Sequence, residues 1–146
     1  MKASGTISGI LHNKGSSVWT ISPRATVFEA IRLLAQKNIG ALPVVDEGRL
    51  VGIFSERDYT RKVALEGKTS RDTLVEDILS RGVATIGPEA TVDEALRMMT
   101  EKRIRHLPVV DGVELVGLIS IGDMVNWIIS AQDATIDQME SYLLGR

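Results

Sequence analysis

Residues 20–61 align with residues 85–126 without a gap, at a constant offset of 65, and 21 of the 42 aligned positions are identical. Unrelated segments match at roughly 3 such positions, because each common residue makes up under about 10% of usage. The identities run from Thr20/Thr85 and Pro23/Pro88 through Thr26/Thr91, Glu29/Glu94 and Pro43/Pro108 to Gly52/Gly117, Ser55/Ser120 and Asp58/Asp123. Two copies at so long a period exclude a helical or leucine-rich solenoid. In a chain of 146 residues, each copy alone would bury too little surface to be stable. Two similar half-domains sharing one core are therefore expected.

Each copy carries the same local pattern. In the second, an apolar run over residues 107–110 stops at Asp111 and Gly112, a hairpin signal, and a second run covers 115–119. Residues 42–45 and 50–54 are the counterparts. These runs are almost continuously apolar, as strands covered on both faces should be. Short strands are expected at 18–21 and 84–86. Thr26 and Thr91 each have a Glu three residues on, Glu29 and Glu94, which is a capping box opening a helix. Val27, Ala30, Ile31 and Leu34, and likewise Val92, Ala95, Leu96 and Met99, then follow helical spacing. Ser55 and Asp58, like Ser120 and Asp123, have capping-box-like spacing, so a further helix starts there. The first such helix is expected to run to about Glu66.

Outside the copies, residues 6–11 fit a short helix with Ile7, Ile10 and Leu11 on one face, and residues 12–17, including Lys14 and Gly15, read as a loop. Residues 67–73 form a polar linker, and 74–79 a helical turn leading into the second copy. The last helix outruns its counterpart. Val125, Ile128, Ile129, Ile136, Met139 and Leu143 keep a helical period, and Gly145 is placed to end it. That stripe either closes the internal core or forms a dimer face. The expected organisation is an N-terminal helix and loop over 1–17, a first unit over 18–66, a linker over 67–83, and a second unit with a helical extension over 84–146.

Several function classes are disfavoured. A net charge of −2 gives no electrostatic case for nucleic acid or an anionic membrane. The absence of cysteine removes disulfides, thiolate zinc sites and cysteine nucleophiles, and is compatible with a cytoplasmic location. The N-terminus leads into no apolar signal region, and no apolar run reaches membrane-spanning length. His12 and His106 are the only histidines, so no metal cluster is apparent. Gly67, Lys68 and Thr69 lack the glycine a phosphate loop needs five residues earlier, where Lys62 stands. Neither a nucleophile elbow nor a glycine-rich dinucleotide turn is present, so no enzyme activity is expected.

The doubled pattern resembles the cystathionine-β-synthase (CBS) domain, and the tandem resembles the CBS pair, or Bateman module. The likeness rests on a Thr-Val-x-Glu-Ala helix, a Leu-Pro-Val-Val-Asp strand, a Leu-Val-Gly strand and a Ser-x-x-Asp helix, each occurring twice between Val18 and Trp127. It implies an α/β (α+β) fold: two pseudo-symmetric β-α-β-β-α units packed through their sheets. It also implies clefts for adenosine-containing ligands, assembly as a homodimer, and a regulated protein partner not identifiable from sequence. AMP is the first ligand expected, with ADP, ATP, NAD(H) or S-adenosylmethionine as alternatives.

Carried onto this sequence, the resemblance gives Asp58 and Asp123 the ribose diol, with Ser55 and Ser120 near phosphate. A carboxylate accepts hydrogen bonds from vicinal hydroxyls. Both motifs equally read as helix N-caps. The segments before each proline would line the cleft: Ile39, Gly40, Ala41 and Pro43 in the first copy, and Arg105, His106, Leu107 and Pro108 in the second. Arg105 offers a planar fork to phosphate and His106 a donor, whereas Gly40 and Ala41 leave room. Arg57 joins the phosphate candidates, or pairs, like Arg61, with Glu56 or Glu66 on a solvated face. Trp19, Thr20, Thr85 and Ile86 would border the adenine; Trp19, like Trp127, equally reads as core or an oligomer contact. The reading of another class is a constitutive interaction scaffold.

Overall fold

The computed structural model describes residues 5–15 and 18–143, except for the side chains of 133–135. In chain order the elements are α1 (Ile7–Lys14), α2 (Val27–Lys37), β1 (Ala41–Asp46), β2 (Arg49–Ser55), α3 (Glu56–Tyr59), α4 (Val75–Ile78), α5 (Val92–Lys102), β3 (His106–Asp111), β4 (Glu114–Ser120) and α6 (Ile121–Leu143). β1 pairs antiparallel with β2, and β3 joins β4 in a second two-stranded sheet. The mixed α/β class expected from the sequence is what forms.

The chain divides into two compact units. The first-repeat unit holds residues 17–85, with the hairpin tip Val110–Val116. The second-repeat unit holds α1, Ile86–Val109 and the chain from Gly117 onward.

Local chemistry accounts for the element boundaries. Thr26 accepts from the Glu29 amide at 3.1 Å, and Thr91 from the Glu94 amide at 3.1 Å. Both helices stop at equivalent left-handed residues, Asn38 and Arg103, each at φ 54°. The β1–β2 turn places Glu47 at φ 49° and Gly48 at φ 77°. Two successive positive φ values match the twist of a two-residue hairpin.

Two expected features differ. The short first strands shrink to single parallel bridges, Ile21 with Val44 and Ile86 with Val109. Pro23 and Pro88 follow two residues later and lack the N–H that a longer ladder needs. The helix after Ser55 is α-helical only to Tyr59 and continues as a π-helical turn over Thr60–Ala64.

The larger difference concerns the segments outside the repeats. Residues 74–79 do more than lead into the second copy. Val75, Ile78 and Leu79 belong to the first-repeat core with Val27, Leu34, Leu42, Val44, Phe54 and Val63. They are held by Val27 N–H donating to Thr73 O (2.8 Å), Val75 N–H to Ala25 O (2.9 Å) and Glu76 N–H to Pro23 O (2.9 Å). The same three bonds recur in the second-repeat unit. There Val92 N–H donates to Gly5 O (3.1 Å), Ile7 N–H to Ala90 O (2.9 Å) and Ser8 N–H to Pro88 O (2.8 Å). Each repeat is therefore served by the segment that precedes the other repeat in the chain. Ile7 and Ile10 of α1 are buried as Val75 and Ile78 are, and each such side chain contributes about 2 kcal/mol.

The glycines common to both copies fit this arrangement. A Cβ on Gly52 would collide with Leu79 Cδ1 and lie 2.5 Å from Ser80 O. On Gly117 it would lie 2.5 Å from Leu11 Cδ2. Leu11 and Leu79 thus cover equivalent points of their units.

The stripe on α6 does not close the core. Met124 is fully buried, but Val125, Ile129, Ile136, Met139 and Leu143 are 47%, 51%, 52%, 59% and 76% exposed. The expected stop at Gly145 lies outside the described residues.

Candidate functional site

The two Ser-x-x-Asp motifs fold alike and end up in different states. In the first-repeat unit, Ser55 and Asp58 form a full capping box. Asp58 Oδ2 accepts from the Ser55 amide (3.0 Å) and hydroxyl (3.1 Å). Its Oδ1 accepts from the Ser80 hydroxyl (3.0 Å) and lies 3.0 Å from Lys62 Nζ. Lys62 also donates to Ile78 O at 3.0 Å. The side chain is 8% exposed with both oxygens engaged. Here the helix-cap reading describes what is present.

In the second-repeat unit, Asp123 Oδ2 accepts from the Ser120 amide (2.8 Å) and from Lys14 Nζ (2.7 Å). Lys14 also donates to Leu118 O at 2.8 Å. Among the described residues Oδ1 has no hydrogen-bond partner, and the side chain is 20% exposed. One carboxylate oxygen therefore remains to accept a hydroxyl.

The difference follows from the covering segments. After α4 the chain becomes extended, and Ser80 pairs with Ile53 through Ile53 N–H to Ser80 O (3.0 Å) and Ser80 N–H to Ile53 O (2.9 Å). That pairing delivers the Ser80 hydroxyl to Asp58. α1, by contrast, stays helical through Lys14 and ends at Gly15, φ 100°. The residues from His12 to Lys14 are thus helix, where a loop was expected. His12 and Lys14 in the last turn suit the negative end of the helix dipole. Lys14 reaches the carbonyl of Leu118, the counterpart of Ile53, and stops short of Oδ1. Trp127 stands where the first copy has Lys62, so the second copy has no counterpart of the Lys62 cation.

What remains is an open cleft of about 420 Å³ between α1 and α6. Ile10, Asn13 and Lys14 line it from α1; Asp123, Asn126 and Trp127 line it from α6, with Ser130 and Ala131 a turn further on. The indole is seated against glycine. A Cβ on Gly5 would lie 2.6 Å from the ring, and one on Gly9 3.3 Å from it.

Arg105 and His106 belong to the same neighbourhood. Arg105 O accepts from the Ile121 amide at 2.9 Å, tying the segment before Pro108 to the start of α6. Gly40 O does the same for Glu56 at 3.1 Å. The Arg105 side chain is exposed and His106 is half-buried. Burial pushes the His106 pKa below its ordinary value, the Lys14 charge lowers it further, Asp123 opposes the shift, and Arg105 adds to it. These influences favour the neutral form of His106.

The other candidates fall as follows. Leu107, Pro108 and Ile86 are buried, and Ile86 N–H donates to Pro108 O at 3.1 Å. Ala41 and Pro43 are buried, Ile39 and Gly40 half-buried, Thr20 and Thr85 exposed. Trp19 is 43% exposed, not core, with Lys37 Nζ 3.9 Å from its ring centroid. Arg57 is exposed on α3, in the first-repeat unit. Within the second-repeat unit the fold gathers Arg105, His106, Ser120 and Asp123. Asn13, Lys14 and Asn126 escaped sequence reasoning. The one signal for Lys14 was a basic residue just before a glycine, which is a helix-end pattern.

Among the described residues no group of three metal-binding side chains could hold an ion, and no helix is long and apolar enough to cross a membrane. A family model described as "CBS domain" matches residues 15–65 and 75–130. The mitochondrial CBS domain-containing protein CBSX3 of Arabidopsis thaliana is 36% identical over 152 residues, covering 97% of this chain and 73% of the relative. A solved protein with CBS domains from Burkholderia ambifaria MC40-6, itself proposed to act in signal transduction, is 45% identical with a TM-score of 0.84. That match covers 88% of this chain and 96% of the solved one. A hexameric CBS-CP12 protein from bloom-forming cyanobacteria matches at 29% identity and TM-score 0.74, over 84% of this chain and 71% of its own.

Proposed function

Because this chain belongs to the CBS-domain family, we propose that it is a regulatory module that binds an adenosine-containing nucleotide at Asp123 and changes conformation or assembly on binding. AMP is the first candidate ligand; ADP, ATP, NAD(H) and S-adenosylmethionine are the others. The observation that carries this reading is the contrast between the two aspartates. Asp58 has both oxygens engaged in a buried network, whereas among the described residues Asp123 Oδ1 has no partner and Asp123 lines an open cleft. A ribose diol donates hydrogen bonds, so it suits a carboxylate oxygen in that state. Lys14, Arg105 and His106 supply cationic or donor groups around it for phosphate. Binding would shift population toward the state that holds the ligand better. Calorimetric titration with AMP, ADP, ATP, NAD⁺, NADH and S-adenosylmethionine tests this. Heat of binding from one adenosine compound, abolished in Asp123→Ala, is the expected result; none from any of them in the intact protein would overturn it.

A second reading, a constitutive scaffold, draws on the exposed apolar residues of α6. The two readings are compatible if α6 forms the contact between two copies of the chain while the cleft responds to ligand. A homodimer through α6 is the assembly we favour, with a regulated protein bound to it.

A further inference from the structure

The α1–α6 cleft has a composition that phosphate and sugar alone do not explain. Ile10, Trp127 and Ala131 contribute apolar lining, and Asn13 and Asn126 contribute two carboxamides. A carboxamide carries both a donor and an acceptor, the complement of a nucleobase edge. The Trp127 indole packs against Gly5 and Gly9 and lines the cleft, and an indole is a side chain on which a ring can stack. About 420 Å³ falls in the range of small-molecule sites. Asp123 also lines this cleft, and Lys14, Asp123 and Arg105 all act electrostatically on His106.

We propose that the α1–α6 cleft is the nucleobase subsite: the base lies against Trp127 with its edge read by Asn13 and Asn126, the ribose sits on Asp123 Oδ1, and the phosphate points toward His106 and Arg105. This rests on the nucleotide-binding reading and adds to it a location for the base. It departs from what the family resemblance implied, which put the adenine beside Trp19, Thr20, Thr85 and Ile86. It also makes the N-terminal helix part of the ligand site.

The test uses the full chain. The protein has two tryptophans, Trp19 and Trp127, so Trp19→Phe leaves Trp127 as the sole indole reporter. In that variant AMP should change the fluorescence, whereas ribose 5-phosphate, which lacks a base, should not. Asn126→Leu should weaken AMP roughly 10-fold, the loss of about one good hydrogen bond to a fixed partner, and leave ribose 5-phosphate unaffected. Asn13→Ala, on an exposed position, serves as a second variant should Asn126→Leu perturb folding. Calorimetric binding of AMP to the Trp19→Phe protein with a silent Trp127 and unchanged affinity in both asparagine variants would refute the base subsite and leave the nucleotide-binding reading standing. Failure of AMP and the other adenosine compounds to bind the intact protein would remove both.

Discussion

At the scale of single residues, the two repeated aspartates should separate cleanly on substitution. Asp58→Ala strands the Ser55 amide, the Ser80 hydroxyl and Lys62. Lys62 is 41% exposed and regains water, so the expected cost is about 1–3 kcal/mol, from the lost cap and the buried hydrogen bonds. Asp123→Ala removes a more exposed pair with Lys14 and should cost less. Urea unfolding of both variants measures this, and equal losses would contradict the difference in burial. His106 gives a pH prediction. Its folded pKa is depressed, so above the unfolded value of 6.5 both states are neutral and it contributes no pH dependence. As pH falls through 6.5 the unfolded chain takes the proton first, and stability is lost until the folded pKa is passed. His106→Gln should remove that part of the acid sensitivity, read as the difference between the two proteins' unfolding curves from about pH 7.5 to about pH 5.5. Lys14, Arg105 and Asp123 are the charged groups that act on this histidine, and a bound phosphate would raise its pKa.

At the scale of elements, the covering segments make the shared glycines unequal. Gly52→Ala meets the Ser80 backbone as well as Leu79, whereas Gly117→Ala meets only the flexible end of Leu11. The first should be destabilised by about 1–3 kcal/mol through overpacking, and the second by less, as Leu11 adjusts. Thermal unfolding of the pair checks this; a larger loss in Gly117→Ala would contradict the equivalence of α1 and the 74–79 segment. Much of this level was legible beforehand. Capping at Thr26 and Thr91, the helical spacing that follows, and the paired apolar runs around each turn are short-range signals, and each formed, although only Thr91 and Glu94 close the full capping box expected of both helices. The exchange of leading segments was not legible. The contacts from Gly5–Ser8 reach residues 80 to 87 positions away, and the underlying similarity runs at an offset of 68, not 65. At that offset Ile10/Ile78 and Leu11/Leu79 match, too few positions to stand out beside the main repeat. Lys14 was read as loop for the same reason: what extends α1 to reach Asp123 is packing on a distant repeat. Trp19, a core candidate by residue type, is exposed because its strand is a single bridge next to Pro23.

At the scale of the whole molecule, α6 carries the clearest unmet demand for burial. Ile129, Ile136, Met139 and Leu143 are each more than half exposed on one helix, and exposed apolar surfaces of this kind mark contact sites. Self-association through α6 should be weakened by Ile136→Asp combined with Met139→Asp without loss of the folded core, since neither is buried. Sedimentation at several concentrations reads the outcome, and an unchanged oligomer would place the contact elsewhere. Ligand response is the other whole-molecule property, because a ligand that binds only the folded state raises its stability by mass action. At roughly 100 times the dissociation constant the gain is about 2.7 kcal/mol, or several degrees in a domain of this size. The decisive comparison is therefore thermal unfolding with and without AMP in the intact protein, in Asp58→Ala and in Asp123→Ala. A shift of several degrees in the intact protein, kept in Asp58→Ala from its lower starting point and lost in Asp123→Ala, is the expected result. A shift lost in Asp58→Ala and kept in Asp123→Ala, or absent from all three proteins with every adenosine compound, would contradict the assignment of Asp123 as the ligand-binding aspartate.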